Sequence, residues 1–231
     1  MIIKNSPEIS VLLSTYNNQN SIESSIKSIL NQSHTDFELL IIDDASNDMT
    51  LKKIKQFDDK RLRLFENKSN LGLTKSLNIL LDKSRGRFIA RQDADDVSLK
   101  ERFKIQKNYL ETKKLQFCST RAMRIEGSKK IPGLSFYLPD KLLFKYKNPH
   151  IHGTIFLEKK ILDNVGGYDE NFYFAQDFKL YNDLLRKNIK LARLNKVLYL
   201  LNTSNNISTY KKNEQKYYFE CVKNNITPIA N

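Results

Sequence analysis

An α/β domain with a mostly parallel central sheet flanked by helices is the fold class that this 231-residue sequence predicts. Three observations point to it. Short apolar runs recur without polar alternation, as strands buried on both faces require. Stretches with apolar residues at helical spacing separate them, and this strand–helix alternation favours parallel pairing. The first, second and fourth runs each end in a polar loop, and ligands of such sheets bind outside the carboxyl ends of the strands.

The elements follow in order. "ISVLLS" (9–14) reads as the first buried strand, and "TYNNQN" after it as a polar loop. From Ser21 to Gln32, Ile22, Ile26, Ile29 and Leu30 repeat at helical spacing, with Ser21 as the N-cap. "FELLIID" (37–43) is the second strand, followed by the turn-rich "DASNDMT", a short helix "TLKKIKQF" and a strand "RLRLFE". "SNLGLTKSLNILLDKS" gives a loop with Gly72 and then a helix with Leu73, Leu77, Leu80 and Leu81 on one face. "RFIARQ" (87–92) is the fourth strand, with "DADD" at its end.

Beyond about residue 100 the pattern is less regular. "LKERFKIQKNYLET" predicts an amphipathic helix and "LQFCSTRAMRI" a strand. Residues 127–150, with Pro132, Pro139 and Pro149, predict loop and a short helix. "HGTIFLE" predicts a strand, "KKILDNV" a short helix, "GGYDENFYFAQDFKLYNDLLRK" a loop running into a helix, and "VLYLL" a late strand. The tail from Lys211 is polar with helical potential.

The net charge is +13, with 39 Lys and Arg against 26 Asp and Glu. That admits a nucleic acid, an anionic membrane surface or an anionic substrate as partner, or simply a solvated basic surface. No nucleic-acid module signature is present, so no nucleic acid is expected. No apolar run approaches the roughly 18 residues of a membrane-crossing helix. The start "MIIKNSPEIS" does not read as a signal peptide, and Cys118 and Cys221 lack metal or disulfide-framework spacing. Both features fit a reducing cytoplasm, and pairing of the two cysteines stays open.

Against this basic background, "RQDADDVS" gathers Asp93, Asp95 and Asp96 within four positions. Like charges this close repel unless something positive compensates them. Mg²⁺ and Mn²⁺ prefer carboxylate and phosphate oxygens, and one or two carboxylates with substrate phosphates is a usual arrangement. Asp93 and Asp95 can face one ligand while Ala94 faces away. A solvated acidic turn, or helix capping by Asp96 or Ser98, is the alternative. Asp43 and Asp44 end the second strand, where a carboxylate can accept from a pyrimidine N–H or ribose hydroxyls, or close an Asx turn. Asp177 follows an aromatic-rich loop and opens a helix, as a general base at a cleft mouth or as a dipole-stabilised helix acid. The three histidines, His34, His150 and His152, are scattered, and no nucleophilic triad stands out.

Taken together, "ISVLLSTYNNQNSIESSIKSILNQSHTDFELLIIDDASNDMT", "NLGLTKSLN", "RFIARQDADDVSLKERF" and "GGYDENFYFAQDFKLYNDLL" resemble the family 2 glycosyltransferases over about residues 8–209. The resemblance implies a GT-A fold and inverting, metal-dependent hexosyl transfer from a nucleotide sugar, with a UDP-sugar favoured. It implies that Ser14 and Tyr16 line the base, that Asp44 accepts the base N–H with Asp43 in support, and that Asn70 to Lys75 flank the nucleotide. Asp93 would hold the ribose, Asp95 with Asp93 would bind Mn²⁺ or Mg²⁺, and Asp177 would be the base. Gln176, Gly167, Tyr168 and His152 would shape the acceptor and donor-sugar pockets. Residues 1–210 would form the transferase domain, with a nucleotide-binding half to about 98 and an acceptor-binding half to 210, before a tail over 211–231.

Two departures stand out. Gln176 replaces the Glu many relatives carry before the base. "LLNTSNNIST" lacks the late Arg and His, with Leu201 and Thr203 near those positions. The implied partners are a nucleotide sugar and a carbohydrate or lipid-linked acceptor for bacterial surface polysaccharide, with peripheral binding to an anionic inner-membrane face. Two other classes compete. One is a catalytically degenerate glycan- or nucleic-acid-binding protein on this fold. The other is a sugar nucleotidyltransferase, disfavoured because "STYNNQN" has no Gly for gripping a triphosphate.

Overall fold

Strands β1 (Ile9–Thr15) and β2 (Phe37–Asp43) lie side by side toward one end of the sheet in a computed structural model that describes residues 6–127, 129–203 and 211–229. The early elements are those expected: α1 (Ile22–Leu30), α2 (Thr50–Ile54), β3 (Leu62–Glu66), α3 (Leu73–Lys83) and β4 (Phe88–Asp93). β1 runs parallel to both β2 and β4, and β2 parallel to β3. Period-2 alternation divides β1 between two cores. Ile9, Val11 and Leu13 meet Ile22, Ile26 and Ile29 of α1, whereas Leu12 joins Leu40, Leu77, Leu80 and Leu81 on the α3 side. Helices on both faces explain why the central residues of these strands, Val11–Leu13 and Leu39–Ile42, are apolar without alternation. Ser21 occupies the α1 N-cap position, but its hydroxyl donates back to the Asn18 carbonyl (3.4 Å) and leaves the helix amides uncapped.

The second half adds β5 (Val97–Ser98), α4 (Arg102–Lys113), β6 (Phe117–Arg124), β7 (Lys130–Ile131), α5 (Asp140–Leu143), β8 (Phe156–Glu158), α6 (Lys159–Asp163), α7 (Gln176–Arg186), β9 (Ala192–Leu201) and α8 (Lys212–Asn224). The strand order is β3-β2-β1-β4-β8-β6-β9-β5, with β7 on β6, so one sheet spans both halves. β8 runs antiparallel between β4 and β6, while β6 and β9 are parallel.

Two expectations need correction. The strand expected from His152 begins only at Phe156, because His152–Thr154 forms a 3-10 turn in which Thr154 Oγ1 donates to the Ile151 carbonyl (2.8 Å). α4 does bury one face, but Arg102 and Gln106 sit on it beside Phe103 and Leu110. Arg102 is wholly buried with no carboxylate partner among the described residues and donates to Gln106 Oε1 (2.9 Å), Ser98 Oγ (2.8 Å) and the Arg91 carbonyl (2.8 Å). The tail helix α8 docks on α7, with Phe219 stacked on Phe178 at 4.3 Å between ring centroids. Cys118 and Cys221 are both free and buried. Residues 1–5, on which the signal-peptide reading partly rests, and Ser204 onward in the late motif lie outside the described residues.

Candidate active site

The carboxyl ends of β1, β2 and β4 come together as their register dictates: Ser14 pairs with Ile42 and Asp93, and Thr15 with Asp43. The polar loops after β1 and β2 are stitched to each other. Asn17 N donates to Ser46 Oγ (3.0 Å), Asn47 N to Asn17 Oδ1 (2.8 Å), and Asn18 N to Thr50 Oγ1 (2.7 Å). The Asn, Ser and Asp content of these loops thus substitutes side-chain acceptors for lost strand partners. Tyr16 stands out of this lattice, 44% exposed.

Asp43 and Asp44 are both buried. Asp44 holds the loop that precedes α3: Asn67 Nδ2 (2.7 Å) and Leu71 N (2.8 Å) donate to Oδ1, and Gly72 N (2.8 Å) to Oδ2. A base N–H reaching Asp44 would therefore share an oxygen with that loop. Asp43 accepts from Ser46 N (3.0 Å) through Oδ2, while its buried Oδ1 has no partner among the described residues. Asn70 and Lys75 are exposed on either side of Gly72.

The acidic cluster is resolved into three different roles. Asp93 Oδ1 pairs with Arg91 (2.7 Å), a side chain buried within the apolar strand β4. The Asp93 backbone N–H donates to Tyr199 Oη (3.0 Å). Asp96 turns inward and accepts from Asn202 N (2.7 Å), tying β4 to the end of β9. Burial and then the Asp93 and Asp95 charges push its carboxyl well up. Asp95 is half-buried, with its carboxyl raised to about 6 by burial and then by the Asp93 charge. Ala94 faces away, into the core under α1.

This set fits a divalent cation of one kind. Among the described residues no group of three or more His, Cys, Asp or Glu converges on one point. Asp95 and the Asp93 oxygen not paired with Arg91 could supply one or two oxygens, and substrate phosphates the others, as Mg²⁺ commonly accepts. A cation there would compensate the repulsion between these two carboxylates, which raises Asp95.

Asp177, second residue of α7, accepts from Asn148 Nδ2 (2.6 Å) and from Phe178 N (2.7 Å). Burial raises its carboxyl to about 6 against the pull of those bonds, and the Asp93 charge adds to the rise, so the two carboxylates share one electrostatic field. Gln176 lies beside it, half-buried, at the start of α7. The loop before α7 is held by α3. Asn78 accepts from Tyr168 N (2.9 Å) and donates to the Tyr168 carbonyl (2.8 Å). Gly167, at φ +79°, sits where an added Cβ would lie 2.7 Å from Asn78 Oδ1. Tyr168 and His152 are joined side chain to side chain, Nε2 to Oη at 2.8 Å.

The sequence had not singled out Arg91, Asn148 or Tyr199. Arg91 left a signal, a lone cation inside an apolar strand that must find a partner. Asn148 and Tyr199 left none, since both reach the site only through folding.

Comparison with known proteins follows the geometry. The profile described as Glycosyl transferase family 2 matches residues 10–169. The chain is 34% identical over 171 residues to the putative glycosyltransferase EpsE of Bacillus subtilis, across 70% of this chain and 60% of that protein. It is 29% identical over 183 residues to an Escherichia coli protein, the UDP-Glc:alpha-D-GlcNAc-diphosphoundecaprenol beta-1,3-glucosyltransferase WfgD, across 78% of this chain and 70% of that protein. In fold it matches S. aureus TarS 1-349 in complex with UDP at TM-score 0.75 and 22% identity, over 96% of this chain and 67% of that one. The mannosyltransferase PcManGT of Pyrobaculum calidifontis, in complex with GDP-Man and Mn²⁺, matches at TM-score 0.75 and 15% identity, over 97% and 67%. The chain spans 60% of the length of EpsE and 37% of a longer TarS chain. With the site on the GT-A fold and the profile covering most of the chain, this protein belongs to glycosyl transferase family 2.

Proposed function

We propose that the chain transfers a sugar from a nucleotide sugar, a UDP-sugar by preference, to a hydroxyl of a carbohydrate or lipid-linked acceptor, with inversion, in surface polysaccharide synthesis. The observation that carries this reading is Asp177, a carboxylate positioned by Asn148 and the Phe178 amide and raised to about 6 by burial. A base with that value is largely ionised at neutral pH and still takes a proton from a hydroxyl in the transition state. The acceptor O–H proton passes to Asp177 as the acceptor oxygen bonds to the anomeric carbon. The bond from that carbon to the diphosphate breaks, and its electron pair leaves on the diphosphate oxygen. No protein nucleophile takes part.

The other residues bind and orient. Ser14, Tyr16, Asp43 and Asp44 would surround the base, Asn70 and Lys75 the nucleotide flank, and Asp93 the ribose. Asp95 would face the diphosphate, where a divalent cation, when bound, neutralises developing charge. Tyr168, His152, Gly167 and Gln176 would wall the sugar and acceptor pockets. The names of WfgD and of the O-antigen biosynthesis glycosyltransferase WbnJ, 29% identical over 226 residues, support a cell-surface glycan as product. An acceptor on a lipid would place the work at the inner membrane face, and the net charge of +13 suits that surface.

The test is a thermal-shift panel of UDP, GDP and their sugars, with and without Mn²⁺, on wild type and Asp95→Ala. A ligand that binds only the folded state raises the melting temperature. Metal-dependent stabilisation by UDP, lost in Asp95→Ala, is the expected result. If no nucleotide shifts the melt, the reading falls and a degenerate glycan-binding protein replaces it.

A further inference from the structure

The segment between β6 and the 3-10 turn at His152 carries an unusual surface. Leu134 is 88% exposed, Tyr137 67% and Tyr146 74%, and Leu138 and Leu142 are exposed beside them. This exposure is built in, because other residues of the same segment anchor it. Phe136 lies between the guanidinium groups of Arg121 and Arg193, each 5.2 Å from its ring centre. Arg193 also donates to the Leu138 carbonyl (2.7 Å), and Leu143 is buried. The backbone is thus fixed with Phe136 and Leu143 inward and the larger share of its apolar side chains in water.

Residues 124–147 hold six Lys or Arg and only two acids, Glu126 and Asp140. Asp140 is already paired with Arg193 (2.7 Å). Arg124, Lys129, Lys130 and Lys147 line a cavity of about 300 Å³ whose wall includes Asn148, the partner of Asp177. Exposed aromatic and aliphatic side chains interleaved with lysines are the chemistry of a surface that enters the headgroup region of an anionic bilayer. An apolar patch on its own would suit any protein partner; the unbalanced positive charge selects anionic lipid.

We propose that Arg124 and residues 129–147 dock this protein on an anionic lipid bilayer, with Leu134, Tyr137 and Tyr146 inserted and Arg124, Lys129, Lys130 and Lys147 on the headgroups. The cavity beside Asn148 then opens at the membrane, which brings a lipid-linked hydroxyl to Asp177. Only this last consequence rests on the transferase reading.

The chain has no Trp, so Leu134→Trp and, outside this segment and past the end of α8, the exposed Ile226→Trp each give a single fluorophore. The full chain is mixed with phosphatidylcholine vesicles and with vesicles half phosphatidylglycerol, without nucleotide. We expect a blue shift and quenching by brominated lipid for Trp at 134 on the anionic vesicles and neither for Trp at 226. Lys129→Ala with Lys130→Ala, both exposed, weakens binding roughly 25-fold, since each lysine contributes about fivefold. An unchanged melting temperature in these variants excludes misfolding. Absence of vesicle binding, equal responses at 134 and 226, or concentration-dependent self-association abolished by Leu134→Glu would overturn the proposal. Because no nucleotide is present, that failure is distinct from failure of the donor panel.

Discussion

Replacing Asp177 by Asn separates catalysis from stability at one atom. The carboxyl rises from 3.8 to about 6 on folding, with burial as the largest cause. Below pH 3.8 it is protonated in both folded and unfolded chains and contributes no difference. As pH climbs through that window the unfolded chain loses its proton first, so folding becomes less favourable. Above pH 6 the loss is complete, at about 3 kcal/mol for a shift of about two units. Asn has no charge to bury, but its amide nitrogen cannot accept the Phe178 N–H, which offsets roughly 1 kcal/mol. A net gain of about 2 kcal/mol at pH 8 follows, or roughly 4–8 °C for a chain of this size. Below pH 4 the charge cost is gone, and the variant should instead be about 1 kcal/mol less stable than wild type. Melting wild type and Asp177→Asn across pH 4–8 measures this directly. Transfer activity in the same variant should fall about 10²–10⁴-fold, the range of a lost general base, while UDP still stabilises the protein. A variant less stable at pH 8, with the wild-type pH slope, would refute the account of Asp177 as a strained, ionised base.

Three further expectations follow from the same geometry. Wild-type turnover at saturating substrate should drop as pH falls through about 6, the value set by burial at Asp177, and a profile flat from pH 5 to 8 would contradict the assigned base. Arg91→Met leaves the half-buried Asp93 without its 2.7 Å partner, so urea unfolding should show a loss of about 1.5–3 kcal/mol, the range of a lost hydrogen bond to a charged group, with the nucleotide-induced melt shift also reduced. Gly153→Ala places a Cβ 2.5 Å from Asp93 Oδ2 and against Tyr199 Oη, and overpacking of this kind costs about 1–3 kcal/mol. Its nucleotide affinity should fall further than its stability, whereas equal losses would mean that Gly153 serves packing alone.

The strand–helix alternation of the first hundred residues was readable because each element there is decided locally. β1 and β2 carry unbroken central apolar runs, Val11–Leu13 and Leu39–Ile42, and α1 and α3 show one apolar face, so the covering of both sheet faces is written into the sequence. The second half was less legible. α4 carries Arg102 and Gln106 on its buried face, and no periodicity marks a polar core position whose hydrogen-bond partners come from β4, β5 and the 3-10 turn at His152–Thr154. The short β5 and β8 owe their existence to neighbours brought from far along the chain.

The sequence by itself determined which carboxylates could matter, because Asp43, Asp44, Asp93, Asp95 and Asp177 stand at strand ends and a helix start where backbone geometry exposes them to one edge. Only the tertiary structure decided what each one does. Asp44 is bound to the loop before α3, Asp96 to the end of β9, Asp93 to a buried arginine, and Asp177 to an asparagine 29 residues away. The physical reason is that a carboxylate's role is set by its desolvation and by its donors. Both depend on groups distant in sequence that meet only when the sheet closes.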